Sequence, residues 1–392
     1  MKTKNNFITA CIFLIFWGVN FGIFDILNYP IFAVCSINDN NTTSISTSEK
    51  STSDKLDKIK NNPTDNPDNK NSDNKNPDNK NSDKNNETKP ALESNKIWLF
   101  IYYTNKGHEG LFYSWSNDGL LWQQIRGEKP FLKPEVGGDI KNRMMRSPSI
   151  CRGLDETYHI VWTVSWETRS IGYASSKDLI NWSKQKLLPL MEHEKNARNT
   201  WGPELFYDNK NKRYYIIWAS TVSGKFNETA GSSEKDFNHR LYYTTTTDFI
   251  KFTPTELYWN PDHNVMDPLL IEDKNNKEQS KRYLLFYKDE TLKPTPKKHL
   301  LLATGASPIG PFNVQKIVSH TDWVQGPSVL KINGYWYLYY DCYGKRHFGA
   351  VRSNDLNTWT NITEKLCFPQ NARQGTIIEI NKDILKKLQE IK

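Results

Sequence analysis

Five aromatic-rich apolar runs recur along the chain: Trp98–Thr104, Tyr158–Trp166, Tyr214–Thr221, Tyr283–Asp289 and Tyr335–Tyr343. Their β-branched and aromatic content predicts strands. After each comes a further strand, then a turn of Ser/Thr-x-Asp type with an aromatic four residues beyond the Asp. The copies are Ser116-Asn117-Asp118 with Trp122, Ser176-Lys177-Asp178 with Trp182, Thr246-Thr247-Asp248 with Phe252, and Ser353-Asn354-Asp355 with Trp359. A weaker copy spans Ala303 to Phe312. The unit repeats about every 60 residues, the size of one four-stranded propeller blade. In each turn the Asp is expected to cap local backbone N–H groups.

A blade also needs a strand at the central axis. Ser147–Arg152, Trp201–Tyr207, Met266–Glu272 and Gln325–Ile332 precede four of the aromatic runs. The first run has no such partner before it, but Gly375–Ile380 remains at the other end. The pattern therefore predicts an all-β, five-bladed β-propeller over residues 96–381, closed by the C-terminal strand completing the first blade. Closure removes the open sheet edges. Residues 382–392 read as a short helix or tail.

The polar pattern changes before residue 96. Between residues 36 and 95 hydrophobic positions almost vanish and a pentad recurs, as in Asn66-Pro67-Asp68-Asn69-Lys70. Such a segment cannot bury enough apolar surface to fold, so it is expected to be a disordered stalk. Ahead of it, residues 1–35 hold Lys2, Lys4 and an apolar run over residues 7–24. This is a signal peptide, giving a secreted or lumenal protein, or a signal anchor, giving a type II membrane protein. Both put the rest of the chain outside the cytosol, where Asn41, Asn86, Asn227 and Asn361 head glycosylation sequons.

The net charge of +8 comes from scattered Lys and Arg. There is no basic stripe for a phosphate backbone, so nucleic acid is not an expected partner. Of the 5 Cys, only Cys151, Cys342 and Cys367 fall in the propeller, without zinc-ribbon spacing. One disulfide among them is open. No cofactor is predicted, calcium on the axis is left open, and a monomer is expected.

Candidate chemistry lies where the axial strands start. Four start with Pro: Ser147-Pro148, Gly202-Pro203-Glu204, Asp267-Pro268 and Gln325-Gly326-Pro327. The fifth starts Arg373-Gln374-Gly375. Side chains here should converge on one mouth of the channel. Trp166, Trp201 and Trp323 could stack on sugars there, and each could equally be packed core. Arg146 and Arg373 could bind hydroxyls, as could Asp341 and Gln374.

The blade pattern resembles glycoside hydrolase family 43. So do the segments RSPSICRG, IGYASSKDLINW, MEHEKNARNTWGPELFYD, NHRLYYTTTTDF, VMDPLLI, QGPSVLKINGYWYLYYD and FGAVRSNDL, in that order. The resemblance covers about residues 96–380. It implies inverting hydrolysis of arabinose- or xylose-containing glycans by three carboxylates: a base in Asp-Pro-Ser, a pKa-tuning Asp in Asp-Pro, and an acid in Glu-Gly-Pro. Inverting hydrolysis needs a carboxylate on one side of the bond and a carboxylic acid on the other. Here the base position is Ser147 and the acid position is Gln325; only Asp267 is kept. The family's axial His-Gly pair is Gln374-Gly375. Three functions compete: a glycan-binding propeller with impaired catalysis, an active glycosidase using relocated carboxylates such as Glu204 with Asp341 and Asp322 behind it, and a protein-interaction platform. A structural role for Glu204, paired with Arg198 or Arg146, is the alternative at that position.

Overall fold

The computed structural model describes residues 96–391. The apolar segment, the stalk and the sequons at Asn41 and Asn86 lie outside the described residues. Along the chain run β1 (Ile97–Thr104), β2 (Leu111–Ser116), β3 (Gln123–Ile125), β4 (Arg146–Arg152), β5 (Tyr158–Thr163), β6 (Ile171–Ser176) and β7 (Lys186–Leu188). There follow β8 (Trp201–Asp208), β9 (Arg213–Thr221), β10 (His239–Thr246), β11 (Glu256–Trp259), β12 (Val265–Glu272), β13 (Tyr283–Asp289), β14 (Leu300–Gly305) and β15 (Phe312–Ile317). The last are β16 (Gln325–Ile332), β17 (Tyr335–Cys342), β18 (His347–Ser353), β19 (Thr360–Asn361) and β20 (Ala372–Ile380), then helix α1 (Lys382–Gln389).

These strands form five four-stranded antiparallel sheets, the blades of a propeller. Four blades are contiguous in sequence, and the first has the order β20-β1-β2-β3. β20 pairs with β1, with Gly375 opposite Tyr102 and Ile377 opposite Phe100. A Cβ on Gly375 would lie 2.1 Å from the Ile101 carbonyl oxygen, so only glycine lets the closing strand come this near. The ring is therefore closed as the repeat count predicts.

The core is also a ring. Five apolar clusters each join one blade to the next. Ile101 and Tyr113 of the first blade meet Ile160 and Trp162 of the second, for example. Phe100 and Trp122 meet Tyr339 and Phe348 of the last. α1 begins at Asn381, whose side chain accepts from the Ile384 N–H, and buries Leu385 and Leu388 against the first of these clusters.

The repeated turns are capped as expected. Asp118, Asp178, Asp248 and Asp355 each accept two backbone N–H groups, at 2.7–2.9 Å, from residues two and three further on. The Ser or Thr two residues before each Asp donates to its carboxylate. Cys151, Cys342 and Cys367 are not joined to one another, so the open disulfide among them does not form. The second aromatic strand ends early, at Thr163, and Trp166 lies beyond it in a bend. There its carbonyl accepts the Trp201 indole N–H at 3.0 Å.

Candidate functional site

The axial strands start alike for a geometric reason. In four of them the ladder slips just before the Pro, between Arg146 and Ser149, Trp201 and Glu204, Met266 and Leu269, and Gln325 and Ser328. The residue ahead of the Pro takes a left-handed backbone each time: Ser147 (φ 45°), Gly202 (54°), Asp267 (51°) and Gly326 (58°). Glycine takes this conformation freely and Asp is tolerated there, whereas Ser is held at some cost. Such a bulge re-aims a side chain, and here the bulges line an axial cavity together with Gln374.

This register aligns the four prolines and sets the candidate residues at different places relative to them. Ser147 and Asp267 occupy equivalent bulge positions. Gln325 stands one residue earlier than these, and Glu204 two residues later.

Ser147, Gln374 and Asp267 form a chain of contacts across the axis. The Ser147 hydroxyl donates to Gln374 Oε1. Gln374 Nε2 donates to Asp267 Oδ2 at 2.9 Å, and the Gly326 N–H donates to the same oxygen at 3.0 Å. A primary amide presents a donor at one end and an acceptor at the other. With Asp267 on the donor end, residue 147 must itself donate, which a hydroxyl does and a carboxylate does not. Burial pushes the Asp267 carboxyl up, against the pull of Lys288 and of the Gly326 N–H.

Gln325 lies opposite Asp341 on β17 and donates to its Oδ2 at 3.3 Å. Arg373 Nε donates to the same oxygen at 2.7 Å. Asp341 is thus a buried partner of Arg373, and burial raises its pKa, with Arg373 opposing. Asp322 is exposed and faces His299.

Glu204 lies deeper than its place in the sequence suggested. It is 7 % exposed and lines both the axial cavity and a second, mainly apolar cavity of about 530 Å³ at the other end of the channel. Neither Arg198 nor Arg146 reaches it. Its partners are the Ser149 hydroxyl at 2.8 Å and the Leu270 N–H at 3.3 Å. Burial lifts its pKa to about 8, only partly offset by these hydrogen bonds. The carboxyl is therefore largely protonated at neutral pH.

The tryptophans separate into different settings. Trp166 is 46 % exposed and stands edge-on to Trp201, centroids 5.7 Å apart. Trp201 is packed on its other side by Phe237 and His239. Trp323 is 43 % exposed and meets Tyr343, whose ring also takes the Lys288 ammonium. The Arg146 guanidinium lies over Trp166 at 4.4 Å and over Tyr103 at 5.1 Å.

Sequence reading missed Tyr103, His239 and the Lys288–Glu290–Lys298 group. Glu290 pairs with Lys288 at 2.5 Å and with Lys298. His239 is buried with both ring nitrogens unpartnered among the described residues. No residue motif marks these side chains; for Lys288 and Glu290 the one signal was the charged positions ending the aromatic run YLLFYKDE. Among the described residues no three His, Cys, Asp or Glu side chains gather as a metal site needs.

A closed five-bladed propeller with bulged axial strands and a polar, tryptophan-edged mouth is the scaffold of a glycoside-hydrolase-like protein. A family model described as a probable glycosyl hydrolase domain, related to glycoside hydrolase family 43, matches residues 93–385. The chain belongs to this family. No curated protein matches it. Solved structures with similar folds include the α-L-arabinofuranosidase of Lactobacillus brevis, at 18% identity over 55% of this chain and 72% of that one, TM-score 0.41. The arabinanase of Bacillus subtilis is 16% identical over 60% and 80%, TM-score 0.41. A family 43 enzyme of Xanthomonas citri, solved with xylose, is 12% identical over 59% and 75%, TM-score 0.44. Likeness at this level concerns fold alone.

Proposed function

We propose that this propeller binds pentose-containing or related glycans at the Ser147 mouth and that inverting hydrolysis there is disabled. The observation that carries the reading is the Ser147–Gln374–Asp267 chain of contacts. It ties up the one carboxylate among the three family positions and demands a donor where the base would stand. A Ser hydroxyl lacks a base of its own, and the Gln325 amide has no proton to give a leaving oxygen. Loss of each group removes roughly 100- to 10,000-fold of rate. Both can still hydrogen-bond a sugar.

The test assays aryl arabinofuranosides and xylosides with the full-length chain and with a Ser147→Asp, Gln325→Glu, Gln374→His variant. The histidine, when protonated, donates to carboxylates at both 147 and 267. Little turnover is expected from the first protein and measurable turnover from the second. One observation favours a second reading: Glu204 lines the same cavity and is kept protonated, as a general acid is. Robust turnover by the unmodified chain, abolished by Glu204→Gln, establishes that reading and overturns ours. We further propose that the propeller works outside the cytosol, a reading supported by the basic, apolar start of the sequence.

A further inference from the structure

Of the cations at the mouth, one makes no hydrogen bond or ion pair among the described residues, although its charge reaches Asp267. Asp341 takes Arg373 and Gln325. Glu290 takes Lys288 and Lys298. Asp267 takes the Gln374 amide and the Gly326 N–H. Arg146 remains. Its guanidinium is held against the Trp166 and Tyr103 rings, and among the described residues no hydrogen bond or ion pair engages it.

One neighbour is also incomplete. Among the described residues the fully buried Tyr103 hydroxyl has no partner. Buried polar atoms nearly always have partners. The Arg146 guanidinium lies over the Tyr103 ring at 5.1 Å, and the charges of Arg373, Asp341 and Asp267 also act on the Tyr103 hydroxyl.

Residue chemistry explains the imbalance. A site with the family's base at 147 would carry one more negative charge, at the residue next to Arg146, while the acid at 325 is protonated at rest. Ser147 removes that charge. Neutral sugar hydroxyls need no full positive charge opposite them. An anion does, and a planar guanidinium fixed between two rings offers it paired N–H donors with little ordering left to do.

We propose that the glycan taken at this mouth is anionic. It carries a carboxylate, as in a uronic acid, or a sulfate ester, and that group is bound by Arg146. The inference rests on the reading of the propeller as a glycan binder. The two anions share this chemistry, and the test separates them.

The full-length chain is titrated calorimetrically at 0.15 M salt with four probes. They are a glucuronate-substituted xylo-oligosaccharide, its carboxyl-reduced counterpart, a sulfated galactan oligosaccharide and its desulfated counterpart. A charge-assisted hydrogen bond predicts a roughly 10-fold or greater preference for at least one charged member over its neutral counterpart. Whichever pair shows it names the anion. Arg146→Gln should erase the preference, and Arg146→Lys should restore only part of it. Lys274→Gln, at the opposite end of the channel, should leave it intact. A preference that survives Arg146→Gln, or falls equally with Lys274→Gln, is general attraction of a basic chain for polyanions and overturns the proposal. Equal binding within each pair also overturns it while leaving the glycan reading standing. Binding of none of the four sinks both. If Arg146→Gln fails to fold, the milder Arg146→Lys carries the comparison, and a preference it leaves undiminished overturns the proposal.

Discussion

Ser147 and Glu204 show how much one position on a strand decides. Ser147 sits on the bulge, where the chain turns its side chain across the axis to Gln374. Glu204, two places beyond the equivalent point of its own strand, is carried down the channel to Ser149 instead. There it is a carboxylic acid held neutral by burial. Its folded pKa, about 8, is raised above the ordinary carboxylate value, so the folded state holds this proton more tightly than the unfolded chain does. The stabilisation is complete below about pH 4.5 and is lost as pH rises towards 8. Glu204→Gln keeps the neutral shape and cannot titrate. Urea unfolding across pH 5 to 8.5 should therefore show a flatter stability profile for the variant, with its relative gain largest at the alkaline end. Parallel profiles would mean that Glu204 is not buried as an acid.

At the scale of the element, the blades owe their sharp outer turns to a few side chains used repeatedly. Asp178 accepts from Ile180 and Asn181 while Ser176 supports Leu179, whose φ of 64° costs energy in a non-glycine residue. Asp178→Ala should lower stability by about 1 kcal/mol, read as a lower urea midpoint at unchanged slope. An unchanged midpoint would make the repeated Asp dispensable. These turns and the five aromatic strands were legible in sequence because each is local: a cap and its donors lie within a few residues. The axial strands were half legible. Their prolines marked the starts, but the slip in the ladder is a property of two strands at once. Hence the left-handed turn at Ser147, Gly202, Asp267 and Gly326 was not read from the sequence. Trp166 was assigned to a strand because its partner, the Trp201 indole, comes 35 residues later. Lys288, Glu290 and Lys298 went unread because charged residues at or beyond the end of a strand look solvated until the fold buries them.

Across the whole molecule, the family assignment and the closed ring agree with what the repeats imply, while the setting in which the propeller works rests on the residues before it. Two sequons can be placed: Asn227 and Asn361 are both exposed. In a secreted or lumenal chain they are reachable by the glycosylation machinery. Chain expressed with microsomes should resist added protease until detergent is present, and its gel mobility should shift on treatment with an N-glycosidase. Digestion of the propeller without detergent would place it in the cytosol.

The clasp between β20 and β1 also sets an order in time. Lys96 and Glu379 are ion-paired across 283 positions. During synthesis β1 emerges early, yet the strand that covers its inner edge is made after every other strand of the ring. Until then the nascent chain carries blades already able to pack on one another, and one sheet edge still open to a stranger. The newborn protein is therefore most exposed to mispairing in the interval before its last strand arrives.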